Sequence, residues 1–152
     1  MKWSAVSIKA SLLDTTVFIA AAFPKEKRHE DGRAIITSVE GGALGRPVIT
    51  DYILDEVATF IRKRKSAAAS IETIDVILYS PHLRLVKVED RHFEAGLQLF
   101  RTYERLSFTD AVSVAVMRDL GIEVIYSFDG DFDGVPGIIR LSTIESATSR
   151  QD

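Results

Sequence analysis

Short apolar runs alternate with helix-like segments along this chain, and that alternation restricts its fold more than any other feature. The apolar runs at 11–14, 47–50, 83–88, 124–126 and 138–141 predict β-strands. The spacing of apolar residues predicts helices at 17–23, 26–39, 51–65, 71–79 and 89–103, and from Thr109 to just before Gly121. Strands separated by helices of these lengths predict an α/β domain whose parallel sheet is covered by helices on both faces.

A single domain accounts for the length of the chain. A total of 152 residues with 46% hydrophobic content suits one compact core. We place that domain at residues 11–141, between an N-terminal extension at 1–10 and a polar C-terminal tail at 142–152. The alanine-rich segment 66–70 is expected to separate two helices.

The composition excludes several classes of protein. A net charge of −3 excludes a generally basic nucleic-acid coat. The chain has no cysteine, which excludes a disulfide framework and a zinc–thiolate site and fits a reducing compartment. No stretch approaches the roughly 18 apolar residues of a membrane helix, and Lys9 and Asp14 interrupt the early apolar stretch, so we expect no signal peptide. We therefore expect a cytoplasmic protein without a membrane partner.

The most acidic segment follows the predicted strand at 124–126, where three aspartates stand at alternate positions: Asp129, Asp131 and Asp133. This pattern resembles the start of an EF-hand calcium loop, which also needs a glutamate at its twelfth position and a helix on each side. Here the twelfth position is Arg140, Pro136 interrupts the loop and a strand precedes it. The calcium loop is excluded, which leaves acids at the end of a strand, the usual place for ligand chemistry in an open α/β sheet.

Three more acids are predicted at the same edge of the sheet, each with an alternative structural role. Asp14 ends the first strand, and its alternative is to cap the following helix. Glu56 falls at the border of the apolar face of its helix, and its alternative is to reach solvent at the rim. Asp110 begins an almost wholly apolar helix, and its alternative is to close a capping box with Ser107. Each acid is ambiguous alone, but all of them fall at one edge.

Four segments together resemble the successive motifs of PIN-domain nucleases, most closely the VapC-type toxins. They are LLDTTVFIA at 12–20, LDEVA at 54–58, SFTDAVSVAVMRDLGI at 107–122 and YSFDGDF at 126–132. The resemblance extends from residue 11 to residue 141. It implies a three-layer α/β/α fold with a five-stranded parallel sheet, and RNA cleavage with Mg²⁺ or Mn²⁺ held by acidic side chains. Carried over by motif, those acids are Asp14, Glu56, Asp110 and Asp129.

The resemblance also implies a role for each of these residues. Asp14 and Asp110 would be the central metal ligands, and Glu56 would bind metal or orient the attacking water. Asp129 would complete a second, weaker site, with Asp131 as its rival because relatives often carry a basic or neutral residue there. Two small hydroxyl positions near the metal are matched by Thr16 and Ser127.

An endoribonuclease of this kind would leave 5′-phosphate and 3′-hydroxyl ends. By resemblance it would be the toxin of a type II toxin–antitoxin system, a homodimer and the target of an inhibitory antitoxin protein. Two alternatives stay open: a housekeeping RNA-processing nuclease, and a catalytically idle module that binds RNA or protein. A phosphotransfer receiver domain is excluded because its acids are paired after the first strand, whereas Asp14 stands alone.

Other polar residues are weaker candidates. Two basic clusters could contact RNA phosphates, and they comprise Arg62, Lys63, Arg64 and Lys65 at a helix end and Lys25, Lys27 and Arg28 in a turn. The alternative for the first cluster is a solvated helix end, where cations complement the helix dipole. Asp133 is expected to shape the turn before Gly134. The three histidines share no ligand spacing and are expected at the surface: His29, His82 and His92.

Overall fold

The computed structural model describes residues 10–144. It contains five strands: β1 (Ser11–Leu13), β2 (Val48–Thr50), β3 (Arg84–Val86), β4 (Val124–Tyr126) and β5 (Ile139–Leu141). They form one sheet in the order β3-β2-β1-β4-β5, and every neighbouring pair is parallel. The predicted five-stranded parallel sheet is confirmed. The expected N-terminal extension, apart from Ala10, and the tail beyond Ile144 lie outside the described residues.

Six helices connect the strands. They are α1 (Thr15–Ala22), α2 (His29–Glu40), α3 (Asp51–Arg64), α4 (Ala67–Tyr79), α5 (Asp90–Thr102) and α6 (Phe108–Leu120), and a short 3₁₀ turn spans Gly130–Phe132. The chain passes from β1 to β2 to β3 in one direction and then crosses back to β4 beyond β1. Crossovers between parallel strands are right-handed, so crossovers that run in opposite directions along the sheet lie on opposite faces. Helices α1–α4 therefore cover one face, and α5 and α6 cover the other. Packing within each of these groups agrees with the predicted three-layer arrangement.

The core lies on both sides of the sheet. Every residue of β1, β2 and β4 is buried, as expected for parallel strands covered twice. Helix α6 is buried on all sides from Asp110 to Met117. Close approach of α5 makes this possible, because a Cβ on Gly96 would lie 2.8 Å from Val112 Cγ2. An internal helix therefore carries Asp110 at its N-terminal end.

The predicted break at 66–70 is wrong. Helix α4 begins at Ala67, with only two residues between it and the end of α3. Ser66 is the N-cap, and its hydroxyl accepts a hydrogen bond from the Ala69 amide at 3.0 Å. Alanine has the highest intrinsic helix propensity, so the segment extends the helix and only Lys65 and Ser66 separate α3 from α4.

The expected surface position of His92 is also wrong, since this side chain is 2% exposed. Its Nδ1 accepts a hydrogen bond from the Glu89 amide at 3.1 Å, and its Nε2 lies 2.8 Å from Asp119 Oδ2. Both ring nitrogens have partners, so burial leaves no polar atom unsatisfied. His29 and His82 are half-buried, and His29 Nδ1 lies 2.7 Å from the Ala20 carbonyl oxygen.

Across residues 10–144, no helix combines the length and the apolarity required to cross a membrane.

Candidate active site

The topology brings the four acids to one edge of the sheet. Asp14 directly follows β1, and Asp129 follows β4, the neighbouring strand. The Asp14 amide donates to the Tyr126 carbonyl oxygen at 3.0 Å, which joins the two strand ends. Strand β1 lies between β2 and β4, where the chain connections turn to opposite sides. Such a switch point is where open α/β sheets form their ligand crevice.

Asp14 lies in the interior of this edge. Its carboxylate oxygen Oδ2 accepts hydrogen bonds from Ser127 Oγ at 2.7 Å and from Thr16 Oγ1 at 2.8 Å. Although Asp14 occupies the N-cap position of α1, its side chain makes no capping hydrogen bond. Burial raises the pKa of Asp14, and the two hydroxyl hydrogen bonds oppose that rise. The carboxylate thus contacts both the segment after β4, through Ser127, and the first turn of its own helix, through Thr16.

Asp110 caps α6 and also faces the other acids. Its Oδ2 accepts from the Ser107 amide at 3.2 Å, while its own amide donates to Ser107 Oγ at 3.1 Å. No hydrogen bond within residues 10–144 engages its second oxygen, Oδ1. Burial, and then the charges of Asp14 and Asp129, raise the pKa of Asp110 to about 7, against the hydrogen bonds from Ser107. The predicted capping box and a free carboxylate oxygen therefore coexist.

Glu56 extends from α3 towards the same edge. The side chain is half-buried and its neighbour Asp55 is exposed, in agreement with the border position expected from helical spacing. Thr15 Oγ1 donates to Glu56 Oε1 at 2.7 Å. Burial raises the pKa of Glu56, the charges of Asp14 and Asp55 add to the rise, and hydrogen bonds from Thr15 and Thr109 oppose it. Sequence reasoning missed this contact, because Thr15 and Glu56 are 41 positions apart.

The three loop aspartates face different partners. Asp129 Oδ1 accepts from the Asp131 amide at 2.9 Å, and Asp129 contributes to the raised pKa of Asp110. Asp131 Oδ1 instead lies 3.0 Å from Arg105. Asp133 lies at the end of the 3₁₀ turn and pairs with Arg140 through two contacts of 2.9 Å. Of the three loop acids, Asp129 is the one whose charge is among the main causes of the raised pKa of Asp110.

Sequence reasoning missed both arginines. Arg140 belongs to β5, and Arg105 lies in the connection between α5 and α6. Arg140 also donates to the Ser127 carbonyl oxygen at 3.2 Å, which fixes the acidic loop against β5. The ion pair of Asp133 with Arg140 lowers the pKa of Asp133. No local pattern identifies the Arg105 pair, because it joins residues that are 26 positions apart.

The donors at this edge fit Mg²⁺ or Mn²⁺. Within residues 10–144, no three Asp, Glu or His side chains are grouped closely enough to enclose a metal ion. The acids nevertheless repel one another, because Asp14 raises the pKa of both Glu56 and Asp110. A divalent cation relieves such repulsion. Mg²⁺ keeps several waters and needs only one or two carboxylates, so an all-oxygen donor set without a closed cage suits it.

The basic clusters are only partly brought together. Lys65 Nζ donates to the Ala22 carbonyl oxygen at 3.3 Å, so the end of α3 adjoins the turn that carries Lys25 and Arg28. Arg28 Cζ lies 4.7 Å from the centroid of the Phe128 ring, next to the acidic loop. Arg62 lines a separate groove between α3 and α4 with Asp55 and Asp75.

Comparison with known proteins agrees with this fold. Residues 11–138 match the PIN domain family. The VapC ribonuclease of Archaeoglobus fulgidus is 32% identical over 126 residues, which cover 81% of this chain and 79% of that protein. The 23S rRNA-specific endonuclease VapC20 of Mycobacterium tuberculosis is 32% identical over 129 residues, covering 79% of this chain and 89% of the relative.

The crystal structure of Mycobacterium tuberculosis VapC20, described as a Sarcin-Ricin loop cleaving toxin, superimposes with a TM-score of 0.73 at 25% sequence identity. That superposition covers 85% of this chain and 98% of VapC20. The order of the strands, the acids at the sheet edge and these similarities all point to the same family. This chain belongs to the PIN domain family, among proteins similar to the VapC ribonucleases.

Proposed function

We propose that this protein is a Mg²⁺- or Mn²⁺-dependent endoribonuclease and the toxin of a type II toxin–antitoxin system. The observation that carries the proposal is the meeting of four carboxylates, from Asp14, Glu56, Asp110 and Asp129, at the switch point of the sheet. Relatives named as ribonucleases and as an rRNA-specific endonuclease support RNA as the substrate. A similar solved protein described as a toxin supports the biological role.

Asp14 and Asp110 are the residues that would hold the metal, with Asp129 beside them. Hydroxyl hydrogen bonds from Thr16 and Ser127 fix one oxygen of Asp14, and Ser107 fixes one oxygen of Asp110. Each carboxylate is therefore oriented before a ligand arrives, which lowers the entropic cost of binding. When bound, the metal lowers the pKa of the attacking water and stabilises charge on the leaving 3′-oxygen.

Glu56 would act on the attacking water. Thr15 holds its Oε1, and burial keeps its pKa above the ordinary value of a glutamate. A carboxylate with a raised pKa is a better proton acceptor near neutral pH. Glu56 therefore orients the water and takes its proton, or ligates the metal directly. Hydrolysis then leaves a 5′-phosphate on one product and a 3′-hydroxyl on the other.

Cleavage of RNA by the purified protein tests the activity. We expect single-stranded RNA to be cut with Mg²⁺ or Mn²⁺ and to stay intact with EDTA. Ligation that requires a 5′-phosphate should capture the downstream product. RNA that stays intact under every divalent metal would favour a catalytically idle RNA- or protein-binding module.

Expression in a bacterial host tests the toxin role separately from the activity. A toxin should arrest growth when expressed alone, and co-expression of a small open reading frame next to its gene should relieve the arrest. An active nuclease that leaves growth unaffected would instead be a housekeeping RNA-processing enzyme. The antitoxin partner, the homodimer and the cytoplasmic location stay predictions, and light scattering of the purified protein measures the oligomeric state.

A further inference from the structure

A pocket opens beside the four acids, and the proposed cleavage chemistry leaves its purpose unexplained. Its apolar walls come from Ile19, Ala20, Phe60 and Phe128. Its border towards the acids is formed by Thr15 and Thr16, the same residues whose hydroxyls donate to Glu56 at 2.7 Å and to Asp14 at 2.8 Å. A group bound in this pocket would therefore lie next to the group held by the carboxylates.

Planar groups form one side of the pocket and are held in place. Arg28 Cζ lies 4.7 Å from the centroid of the Phe128 ring. The Arg28 guanidinium is fixed by Asp31 at 2.9 Å and by the Ser142 carbonyl oxygen at 3.1 Å. The Phe128 amide donates to Thr16 Oγ1 at 3.0 Å, which fixes the ring relative to Asp14. Nucleobases stack on both aromatic rings and guanidinium planes, so this pair is a stacking surface.

Arg28 lines this pocket, and further cations lie near its walls, although the whole chain carries a net charge of −3. Arg64 Cζ lies 5.4 Å from the centroid of the Phe60 ring, and Lys65 Nζ reaches the Ala22 carbonyl oxygen at 3.3 Å. Lys25 and Lys27 are exposed in the turn beside it. Glu26, the acid that lines the pocket, is an acceptor for the amino group of a base. Aromatic walls within a cationic rim match a base attached to charged phosphates.

We propose that this pocket is a nucleobase subsite, in which the base next to the scissile phosphate stacks against Phe128 and Phe60. The neighbouring phosphates then lie on the cationic rim formed by Arg28, Arg64 and Lys65. The proposal rests on RNA being the substrate, as the proposed function states. It adds a contact that recognises the base and not the charge of the strand.

Two fluorescent probes separate base binding from phosphate binding. One is single-stranded oligo(A), and the other is an oligomer of equal length and charge whose nucleotides lack bases. Anisotropy with Mg²⁺ in an Asp110→Asn background measures affinity for each without cleavage. Phe128→Leu removes the aromatic ring and keeps apolar volume. We expect it to weaken oligo(A) binding by about 5- to 150-fold, the usual range for one stacked base, and to leave the base-free probe unchanged.

Tyr79→Leu is the matched control, because Tyr79 is 81% exposed and lines no part of the pocket. We expect it to leave both affinities unchanged. Phe60→Leu repeats the test from the opposite wall if Phe128→Leu fails to fold. The subsite would be overturned if the wild-type protein and the variant bound oligo(A) with equal affinity. It would also be overturned if the variant lost the same affinity for both probes.

The two proposals fail in different ways. If the protein binds oligo(A) through Phe128 but cuts no RNA, the nuclease function falls and the base pocket stands. If the protein cuts RNA and Phe128→Leu affects neither probe, the base pocket alone falls. If Phe128→Leu weakens only the binding of the antitoxin protein, the pocket serves a protein partner and the subsite is overturned.

Discussion

A single aspartate, Asp110, combines a helix cap with the metal-ligand role that we propose for it, although the two roles looked like alternatives in the sequence. One carboxylate oxygen accepts from the Ser107 amide and closes the capping box, which is a local feature that the sequence predicts. The other oxygen is free of protein hydrogen bonds within residues 10–144, and the charges of Asp14 and Asp129 act on the group. A carboxylate has enough acceptor capacity for both roles, so a helix cap and a metal ligand are compatible.

The raised pKa of Asp110 predicts how stability depends on pH without metal. The pKa of Asp110 is about 7 in the folded protein, and its ordinary value is 3.8. Between pH 3.8 and pH 7 the folded state therefore binds more protons than the unfolded state. Stability should therefore be highest at the acidic end of this window and fall as pH rises through it. Asp110→Asn removes this titration, so its unfolding temperature should fall less over the same window. Thermal unfolding in EDTA at several pH values measures both slopes.

Equal slopes for the two proteins would show that Asp110 titrates normally. Asp14 and Glu56 also have raised pKa values, so the variant should keep part of the slope. Asp133→Asn is a control, because the Arg140 ion pair lowers the pKa of that carboxyl from 3.8 and its titration therefore lies below this window. We expect this variant to keep the wild-type slope.

The acidic loop allows a test of which aspartate serves the site. Asp131 forms an ion pair with Arg105, whereas the charge of Asp129 contributes to the raised pKa of Asp110. Asp129→Asn should reduce RNA cleavage by about 10- to 100-fold, the usual cost of disturbing a metal's surroundings. Asp131→Asn should leave the rate within a few-fold of wild type. Cleavage rates measured side by side decide the matter, and the reverse order would make Asp131 the ligand.

The strands and helices can be predicted from the local sequence, whereas the contacts between them are predicted less accurately. Alternating apolar runs and helical spacing predicted every strand and every helix, with errors at the ends and at the start of α4. Helical spacing predicts that Phe93, Leu97 and Phe100 share one face of α5, and the rings of Phe93 and Phe100 both contact the ring of Phe108, at centroid distances of 5.4 and 5.7 Å. These two phenylalanines are nevertheless 40% and 44% exposed. The buried positions of α5 include His92 and Gly96. Periodicity therefore located the helix and one packed face without identifying its most deeply buried face.

Gly96 explains why this face of α5 packs so closely against α6, and it leads to a prediction about the two helices. A Cβ at this position would lie 2.8 Å from Val112 Cγ2 and 3.0 Å from Val112 Cα, and the backbone atom cannot rotate away. Gly96→Ala should therefore destabilise the protein by about 1–3 kcal/mol, the usual cost of overpacking. Chemical denaturation measures the free energy of unfolding.

Gly41→Ala is the matched control. Its φ of −77° suits any residue, and a Cβ there would lie an ordinary 3.5 Å from the Thr37 carbonyl oxygen. We expect a change within about 0.5 kcal/mol, as for ordinary surface substitutions. Equal effects of the two substitutions would show that α5 and α6 do not pack as closely as described.

Over the whole molecule, the parallel topology determines where the acids meet. The sequence placed Asp14, Glu56, Asp110 and the loop acids at one edge because strand ends in a parallel sheet share an edge. The partners of these acids were predicted only in part: Ser107 followed from the capping-box pattern, and Thr16 and Ser127 followed from the family resemblance alone. Thr15 is 41 positions from Glu56, and Ser127 is 113 positions from Asp14. Such contacts depend on strand order and register, which periodicity does not specify.

The metal dependence of RNA cleavage, measured for wild type and Asp110→Asn in parallel, tests the central claim most directly. The capping hydrogen bond from Ser107 has an acceptor in either side chain, so the variant should fold, as circular dichroism would verify. We predict that the wild-type rate saturates with added Mn²⁺ and that the variant is slower by more than about 100-fold. Cleavage by both proteins at the same rate, or by wild type in EDTA, would contradict the assignment of this sheet edge as the metal-dependent active site.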